Sequence, residues 1–485
     1  MVATSCDTLG LYVSIPFCRS KCTYCNFASG VYPTSEHTRY VDRLVEDLRT
    51  ATNWAVQIGA ELPRRADSVY LGGGTPSLLA PDLIARLFSA IRAGFDIHAD
   101  AEITVECAPG QLDEETLLAF VAAGVNRISL GVQSFIDREA AVSGRLHNRA
   151  VVLNDIARLR SAGIANLNVD LIVGLAGQTF ASWQESLTTL IDSGVPHASV
   201  YMLEVDQDSR LGREVLKHGA RYYADLVPTD DSIAEMYSMA IERLDAAGVK
   251  QYEISNFSQP GFESRHNLRY WRRRPYLGLG LDASSMLRES AVGHGLSRAT
   301  GDSELTVALA AEGMQTGDPA FPQGLKPDLS CAHAGAPLKP RPFKAAQPAG
   351  PSPNSLQHHV LRATTTDDLQ TYLAGHAPVE SARLGPAQQH EEAWFLGLRL
   401  NAGVKIAAVT REFGTEIVAP SLEVVARLVE TGLVVTDGET VRLTPRGQLL
   451  SNDVFQEFLA LPPSQVRSRL WESLVIAASK PTAWP

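Results

Sequence analysis

The sequence has no run of about 18 consecutive apolar residues, the length that a membrane-spanning helix requires. We therefore expect no stable insertion into a membrane. Basic residues are also in short supply, because 43 Lys and Arg stand against 54 Asp and Glu, for a net charge of −11. Such a chain is not expected to bind nucleic acid through general charge attraction. The opening residues, MVATSCDTLGLYVSIPFC, lack the basic and then apolar pattern of a secretory signal, which predicts a cytoplasmic protein.

Cysteine is scarce, with six residues in a chain of 485, and half of them are crowded together. Cys18, Cys22 and Cys25 fall within the eight residues CRSKCTYC. The others are scattered along the chain at Cys6, Cys107 and Cys331. Scattered cysteines are typical of a reducing compartment, in which clustered thiols hold metal more often than they form disulfides.

Strand and helix patterns alternate from Leu11 to about residue 285. This alternation predicts a parallel sheet of βα units, either a barrel or a doubly wound sheet, with its chemistry at the carboxyl ends of the strands. The predicted strands are LYVSIPF, SVYLGG, EITVEC, RISLGVQS, NLNVDLIVG, HASVYMLEV and QYEISNF. The predicted helices include TRYVDRLVEDLRTATNWAV, LDEETLLAFVAAG, RAVVLNDIARLRSAG and TFASWQESLTTLIDSG.

The pattern divides the chain into three parts. The first, residues 1–290, carries the βα units. The second, 291–359, is rich in Pro, Ala, Gly and His without periodicity, which predicts a disordered insertion or linker. The third, 360–485, reads as helices around a short hairpin, which predicts a small α+β domain of winged-helix-like character. This part shows no cluster of Lys and Arg, so the pattern does not favour a DNA-binding regulator.

The cysteine spacing C-x3-C-x2-C bears on three kinds of site. A structural zinc site needs four ligands, usually from two pairs, and no second pair exists here. A disulfide would leave one thiol over. Three thiolates suit a [4Fe–4S] cluster that keeps one iron open for a small molecule, with Cys18, Cys22 and Cys25 as the ligands.

This spacing, followed one βα unit later by LGGGTPS, resembles the radical S-adenosylmethionine (SAM) superfamily. The resemblance implies a partial (β/α)6 barrel, with the cluster loop after the first strand and with SAM bound to the open iron through its amino and carboxylate groups. It also implies that Gly73, Gly74 and Thr75 bind the methionyl amino group. A Cβ in the triple glycine that begins at Gly72 would hinder close approach of the backbone to a ligand.

Polar residues at or beyond other predicted strand ends follow the order of the same family. Their polarity suits the ribose, carboxylate and adenine of SAM, each of which needs a hydrogen-bond partner when buried. The resemblance implies that the remaining SAM-binding residues are Tyr12, Tyr24, Glu106, Gln133, Arg145 and Asp170.

Within the superfamily, YVSIPFC, YLGGGTPS, GVNRISLGVQSF and EEAWFLGL resemble the coproporphyrinogen oxidase-like branch. Its oxygen-independent coproporphyrinogen III oxidases carry a fourth cysteine, two residues after the third, and a long N-terminal extension. Here Phe27 stands at that position, and only ten residues precede Leu11. Both features resemble the HemW-type heme chaperones instead. The oxidase activity, an oxidative decarboxylation in porphyrin biosynthesis, remains the alternative, and no catalytic residue is assigned.

The HNLRYW motif at residues 266–271 belongs to the same resemblance. It implies a heme site in which His266 binds the iron and Tyr270 and Trp271 pack on the porphyrin, although a basic and aromatic surface segment would have the same composition. The implied cofactors are the [4Fe–4S] cluster, SAM and heme. The implied partners are heme, heme-accepting proteins and an electron donor.

Overall fold

The structure is a computed structural model that describes residues 8–290, 359–375 and 380–459. The predicted insertion, apart from His359, lies outside the described residues, as do the scattered cysteines Cys6 and Cys331. Among the described helices, none combines the length and the apolar character needed to cross a membrane.

The strands of the described residues are numbered in chain order. They are β1 (Leu9–Ile15), β2 (Ala60–Glu61), β3 (Arg65–Gly73), β4 (Asp96–Cys107), β5 (Arg127–Gln133), β6 (Asn166–Val173), β7 (His197–Met202), β8 (Lys250–Glu253), β9 (Asn256–Ser258), β10 (Tyr276–Leu279), β11 (Ser284–Glu289), β12 (Val360–Thr364), β13 (Glu380–Leu384), β14 (Val404–Lys405), β15 (Val434–Thr436) and β16 (Thr440–Leu443).

The helices follow the same numbering. They are α1 (Thr34–Gln57), α2 (Pro81–Gly94), α3 (Glu114–Ala122), α4 (Asp137–Val142), α5 (Arg149–Ser161), α6 (Phe180–Asp192), α7 (Arg210–Leu216), α8 (Asp230–Ala246), α9 (Arg265–Trp271), α10 (Leu369–Leu373), α11 (Pro386–Arg399), α12 (Ile406–Phe413), α13 (Thr415–Glu430), α14 (Pro445–Leu449) and α15 (Ser451–Leu459). Two short 3-10 segments span Pro76–Leu78 and Arg221–Leu226.

Six parallel strands form the centre of the larger sheet, in the order β1, β3, β4, β5, β6 and β7. Helices connect consecutive strands, as parallel pairing requires. All seven residues of β1 are buried, because both faces of the strand are covered. The predicted partial (β/α)6 barrel is confirmed, and the carboxyl ends of its strands meet at one rim.

Further strands extend this sheet on both sides. Beyond β1 lie the parallel β10 and then the antiparallel β11, β12 and β13. Beyond β7 lie β9 and β8, both antiparallel to their neighbours.

The single strand predicted for QYEISNF is wrong, because the chain reverses between β8 and β9. The backbone N–H of Ile254 donates to the carbonyl of Arg399 at 3.1 Å, and that of Ser255 donates to the Glu253 side chain at 3.1 Å. Both groups therefore bond outside the sheet, so the ladder is interrupted. The reversal brings Glu253, Ser255 and Asn256 to the barrel cavity.

The C-terminal part packs helices α11–α15 around the small antiparallel sheet β14-β16-β15, which confirms the predicted α+β character. Its apolar core includes Trp394, Phe455 and Phe458 and continues into the barrel part through Tyr270 and Trp271 of α9. The two parts therefore share one core, and α11 reaches the barrel.

The strands β11 and β12 flank the segment 291–358 and pair directly with each other. Arg288 lies opposite Val360, and the N–H of Glu289 donates to the carbonyl of His359 at 2.9 Å. The described residues on either side of this segment therefore lie opposite each other in the sheet.

Replacing residues 290–358 with a two-residue Asn-Gly turn should preserve the fold, because such a turn joins directly opposed antiparallel residues. Shortening the loop lowers the closure entropy, so the urea-induced unfolding free energy should stay the same or rise by up to about 3 kcal/mol. A matched deletion without the added turn should unfold more easily, since Glu289 cannot bond directly to His359 across the ladder. Loss of stability in the Asn-Gly variant would contradict this.

Candidate functional site

A cavity of about 1670 Å³, including its open mouth, occupies the barrel at the carboxyl ends of the strands. Five basic and three acidic side chains line it, although the whole chain is acidic. The cavity therefore favours anionic ligands.

The loop after β1 brings the three clustered cysteines to this cavity. Cys18, Cys22 and Cys25 are free thiols of intermediate exposure, and all three line the cavity. The loop is closed at its base, because the N–H of Cys18 donates to the Gly30 carbonyl at 2.8 Å. A second bond, from the N–H of Thr23 to the Ser143 carbonyl at 3.1 Å, ties the loop to the segment after β5. The thiols are thus held on a fixed loop.

The chemistry of these thiols fits iron–sulfur ligation. Burial raises the pKa of Cys18 and of Cys25, so both stay protonated until a metal displaces the proton. Among residues 8–290, 359–375 and 380–459, no three His, Cys, Asp or Glu side chains lie close enough to share one metal ion. A [4Fe–4S] cluster does not require the three thiols to share one metal ion, because each thiolate binds a different iron atom.

The triple glycine at the end of β3 packs directly against the chain that enters the cysteine loop. A Cβ at Gly74 would lie 2.8 Å from the carbonyl oxygens of both Ile15 and Phe17. The N–H of Gly74 donates to Ile15 at 2.8 Å, and that of Thr75 donates to Phe17 at 2.7 Å. The sequence pattern indicated close approach to a ligand, and the structure adds that protein backbone alone already requires glycine here.

Gly73 and Thr75 flank this contact and face the cavity. Gly73 has φ +97°, a conformation that side chains rarely adopt, and a Cβ there would lie 2.8 Å from Ser14 Oγ. The Thr75 hydroxyl lies 4.0 Å from Cys18 Sγ. The predicted SAM-binding turn therefore adjoins the predicted cluster ligands.

Tyr24 and Arg145 form one polar contact beside the cysteines. An Arg145 NH2 group donates to the Tyr24 hydroxyl at 2.9 Å, and both residues line the cavity. Burial opposes the charge of Arg145, but Tyr24 and Cys22 together raise the pKa of the guanidinium above its ordinary value. This side chain is a permanent cation next to the cluster loop, suited to a carboxylate.

Glu106, the residue before the last of β4, is partly buried and lines the cavity. The Tyr70 hydroxyl donates to Glu106 Oε1 at 2.8 Å. Burial is the main cause that raises the pKa of Glu106 to about 7, and the neighbouring Asp170 raises it further. The carboxyl group is therefore poised to change charge near neutral pH.

Asp170 and Gln133 continue the wall on the next strands. Burial raises the pKa of Asp170, while hydrogen bonds from its neighbours oppose the shift. Asn168 donates to Asp170 Oδ1 at 2.7 Å, and the Ser129 hydroxyl donates to Oδ2 at 3.0 Å. Gln133, the last residue of β5, has φ +70° and also lines the cavity.

Tyr12 lies behind this wall. Its side chain is 2% exposed and stacks on Tyr70 with ring centroids 6.1 Å apart, and it is not among the cavity-lining residues. In the described conformation it supports Tyr70 and lacks access to a ligand.

His266 is buried between two protein side chains. It is 1% exposed, its Nδ1 lies 2.9 Å from Ser68 Oγ, and its Nε2 lies 2.8 Å from the Tyr270 hydroxyl. Asn267, Tyr270 and Trp271 of the same motif line the cavity, but His266 does not. Because both ring nitrogens are engaged inside the protein, iron ligation would require the imidazole to leave both partners. In the described conformation His266 contacts the Tyr270 hydroxyl and is not among the cavity-lining residues.

Five charged residues of the cavity were not predicted from the sequence: Arg19 and Lys21 of the cysteine loop, and Arg127, Glu253 and Arg399. Arg399 pairs with Glu253 at 3.5 Å and lies over the Trp271 ring at 4.3 Å. Of the three outside the loop, a signal existed only for Arg127, since the period-two pattern that turns Ser129 and Gln133 inward turns Arg127 inward as well. Arg399 belongs to α11, so its place depends on how the C-terminal part packs.

Comparison with known proteins agrees with this geometry. The sequence pattern of the Radical SAM superfamily matches residues 12–190, and that of the HemN C-terminal domain matches residues 384–450. The coproporphyrinogen III oxidase (HemN) of Escherichia coli, described as a radical SAM enzyme, has a similar structure, with a TM-score of 0.69 at 20% identity over 95% of this chain and 92% of that one. The fold and the cysteine loop define a radical SAM protein, and the superfamily implies SAM and a [4Fe–4S] cluster.

Similar proteins of known name indicate which family of the radical SAM superfamily is concerned. The heme chaperone HemW of Lactococcus lactis is 28% identical over 92% of this chain and 96% of its own length. That of Escherichia coli strain K12 is 34% identical over 57% of this chain and 69% of its own length. This chain belongs to the HemW family.

The raised pKa of Glu106 predicts a pH-dependent stability. A carboxyl group with a folded pKa of about 7 binds more protons in the folded state, so the unfolding free energy falls as pH rises from about 4.5 to 7. Glu106→Gln removes this loss. Its stability advantage over the wild type should grow by about 1 kcal/mol between about pH 6 and pH 8, measured by urea unfolding of the apoprotein.

Tyr70→Phe provides the control, because the Tyr70 hydroxyl lowers the pKa of Glu106. Its removal should move the pH window upward while the carboxyl group remains. A stability difference between Glu106→Gln and the wild type that does not change with pH would show that Glu106 titrates normally.

Proposed function

We propose that this protein is a heme chaperone, which binds heme together with a SAM-bound [4Fe–4S] cluster and transfers the heme to acceptor proteins. The observation that carries the proposal is the similarity to relatives named heme chaperones along nearly their whole length. Phe27 supports it, because it stands where the oxygen-independent oxidases of the branch have a fourth cysteine. We further propose a cytoplasmic protein that does not bind nucleic acid and receives electrons from a separate donor.

We propose that Cys18, Cys22 and Cys25 hold the cluster, which when bound supplies electron transfer and an open iron for SAM. The cavity residues suit the other parts of SAM. The turn at Gly73, Gly74 and Thr75 borders the cysteines and offers backbone polar groups to the methionyl end.

The side chains of the wall complete the proposed SAM site. Arg145, paired with Tyr24, supplies positive charge for the carboxylate. Glu106, Gln133 and Asp170 offer acceptors and donors for hydroxyls and ring nitrogens. Tyr12 acts through Tyr70, on which it stacks.

For heme, the aromatic side chains of the HNLRYW motif provide the supporting surface. Tyr270 and Trp271 line the cavity, and Arg399 lies over Trp271. His266 holds the Tyr270 hydroxyl in place at 2.8 Å. We therefore propose that the heme site uses Tyr270 and Trp271, with His266 as their positioning residue.

Replacing Cys18, Cys22 or Cys25 with Ser should abolish cluster assembly, because each thiolate holds one iron. Iron content and visible absorbance after anaerobic reconstitution provide the measurement. Cys107→Ser is the matched control. Cys107 borders the same cavity, but burial raises the pKa of its thiol to about 12, so it should remain protonated and the variant should assemble a normal cluster. Cluster loss in Cys107→Ser would show that the ligand set is wrong.

Heme titration of His266→Ala tests the positioning role. We expect weaker heme binding with an unshifted Soret band, since the variant frees the Tyr270 hydroxyl without removing an iron ligand. His147→Ala should change neither, because His147 contacts the Val132 carbonyl at 3.1 Å and is not among the cavity-lining residues. A shifted Soret band in His266→Ala alone would restore iron ligation by the imidazole.

The reconstituted wild-type protein should bind heme and should not decarboxylate coproporphyrinogen III. Both assays belong on the same anaerobic preparation. Decarboxylation at a rate comparable to that of an oxygen-independent coproporphyrinogen III oxidase would overturn the chaperone proposal in favour of that enzyme activity.

A further inference from the structure

Arg127 is a buried cation without a direct partner. Its side chain lines the barrel cavity and is 2% exposed. Within the described part of the chain, no hydrogen bond or ion pair joins its guanidinium to another residue, and its Nε is buried without a partner. Asp170 on β6 feels this charge, because Arg127 opposes the rise that burial causes in the pKa of its carboxyl group, but no hydrogen bond joins these two described side chains. A buried charge without a direct partner costs several kcal/mol, so a fold retains one only where something else offsets the cost.

The residues beside Arg127 on the neighbouring strands have the same deficit. Thr104 of β4 and Asn166 of β6 lie at the register positions that flank Arg127 of β5. Thr104 Oγ1 and Asn166 Oδ1 are also buried without a hydrogen-bond partner. The polar side chains at this depth of the barrel interior therefore lack hydrogen-bond partners on three adjacent strands.

The polar side chains two residues closer to the carboxyl ends of these strands do have hydrogen-bond partners. Asn168 Nδ2 donates to Ser129 Oγ at 2.7 Å and to Ser199 Oγ at 3.1 Å, and the Ser199 hydroxyl donates to Asn256 Oδ1 at 2.9 Å. This fold can therefore satisfy its interior polar groups with one another.

Other arginines also have a buried Nε without a partner, but Arg145, Arg269 and Arg362 bond through their other nitrogens. The guanidinium of Arg127 makes no such bond within the described residues, which points to a missing ligand group.

We propose that Arg127 forms a carboxylate-binding subsite at the floor of the barrel cavity, and that it takes a propionate side chain of the bound porphyrin. A guanidinium binds carboxylate through two parallel hydrogen bonds. The assignment of the propionate rests on the proposed heme chaperone function.

The depth of Arg127 separates this carboxylate from that of SAM. An Arg145 nitrogen lies 3.0 Å from the position of a Cβ at Gly131, four residues beyond Arg127 on β5. At about 3.3 Å per residue, the Cα of Arg127 lies roughly 13 Å deeper in the barrel than that of Gly131, and the Arg127 side chain extends from that depth. The proposed SAM site uses Arg145 beside the cysteine loop for the SAM carboxylate, which leaves the guanidinium of Arg127 available to a carboxylate of a second ligand.

Binding of heme and of heme dimethyl ester, in which both propionates are blocked, tests the subsite. Arg127→Gln should weaken heme binding by about 10-fold or more, because a charge-assisted bond is lost. The dimethyl ester should bind the variant and the wild type equally, and SAM affinity should not change. Arg127→Lys, which keeps the charge without the fork, should bind heme with intermediate affinity.

Thermal unfolding of the apoprotein separates ligand binding from a structural role. Arg127→Gln should keep or raise the Tm, because it removes a buried charge without a partner. Arg362→Gln is the matched control: Arg362 is equally buried but pairs with Glu392 at 2.9 Å, so its loss should lower the Tm. A Tm that falls equally in both variants would overturn the subsite.

The binding outcomes are also decisive. Unchanged heme affinity in Arg127→Gln would overturn the subsite while the chaperone function stands. Weakened SAM binding with normal heme binding would show that Arg127 binds the SAM carboxylate, and it would overturn the proposed contact with a heme propionate. A wild-type protein that binds no heme would overturn the proposed function and the propionate together.

Discussion

Two backbone hydrogen bonds, from Gly74 to Ile15 and from Thr75 to Phe17, fix the end of β3 against the chain that enters the cysteine loop. They are possible only because residue 74 has no side chain, since a Cβ would overlap both carbonyl oxygens. The rest of the site depends on this contact. It places the cysteine loop and the proposed SAM-binding turn in one rigid unit, so neither can move without the other.

The barrel interior is unusually polar for a buried region, and that polarity has a cost. Each buried amide, hydroxyl or carboxyl group must find a partner, or the folded state loses about 1–3 kcal/mol. The Ser129–Asn168–Asp170 contacts meet this requirement with bonds of 2.7–3.0 Å. Burial still raises the pKa of Glu106 and of Asp170, so their hydrogen bonds do not fully offset the cost of burying a negative charge. Such an interior is organised for binding, since an apolar core would stabilise the fold better.

Much of the fold followed from local pattern. Strand-helix alternation identified the six parallel strands, and the bounds of β5 and β6 agree with RISLGVQS and NLNVDLIVG within one residue. The split of QYEISNF could not be read from the sequence, because it depends on the Ile254–Arg399 backbone bond between distant parts of the chain. The position of Arg399 in the cavity could not be predicted for the same reason, because it depends on contact between distant parts of the chain. For His266, the motif identified the segment, but only packing shows that Ser68 and Tyr270 occupy its nitrogens.

The position of Arg399 in the sequence has a consequence for the order in which the cavity wall is synthesised. The cysteines of the cluster loop are near the beginning of the sequence, whereas α11, which carries Arg399 to the cavity wall, is near its end. A ribosome therefore releases the thiols long before the residue that completes the wall around them. Until α11 has been synthesised, Glu253 lacks its ion-pair partner and Trp271 lacks the guanidinium that covers its ring, so this side of the wall is completed last.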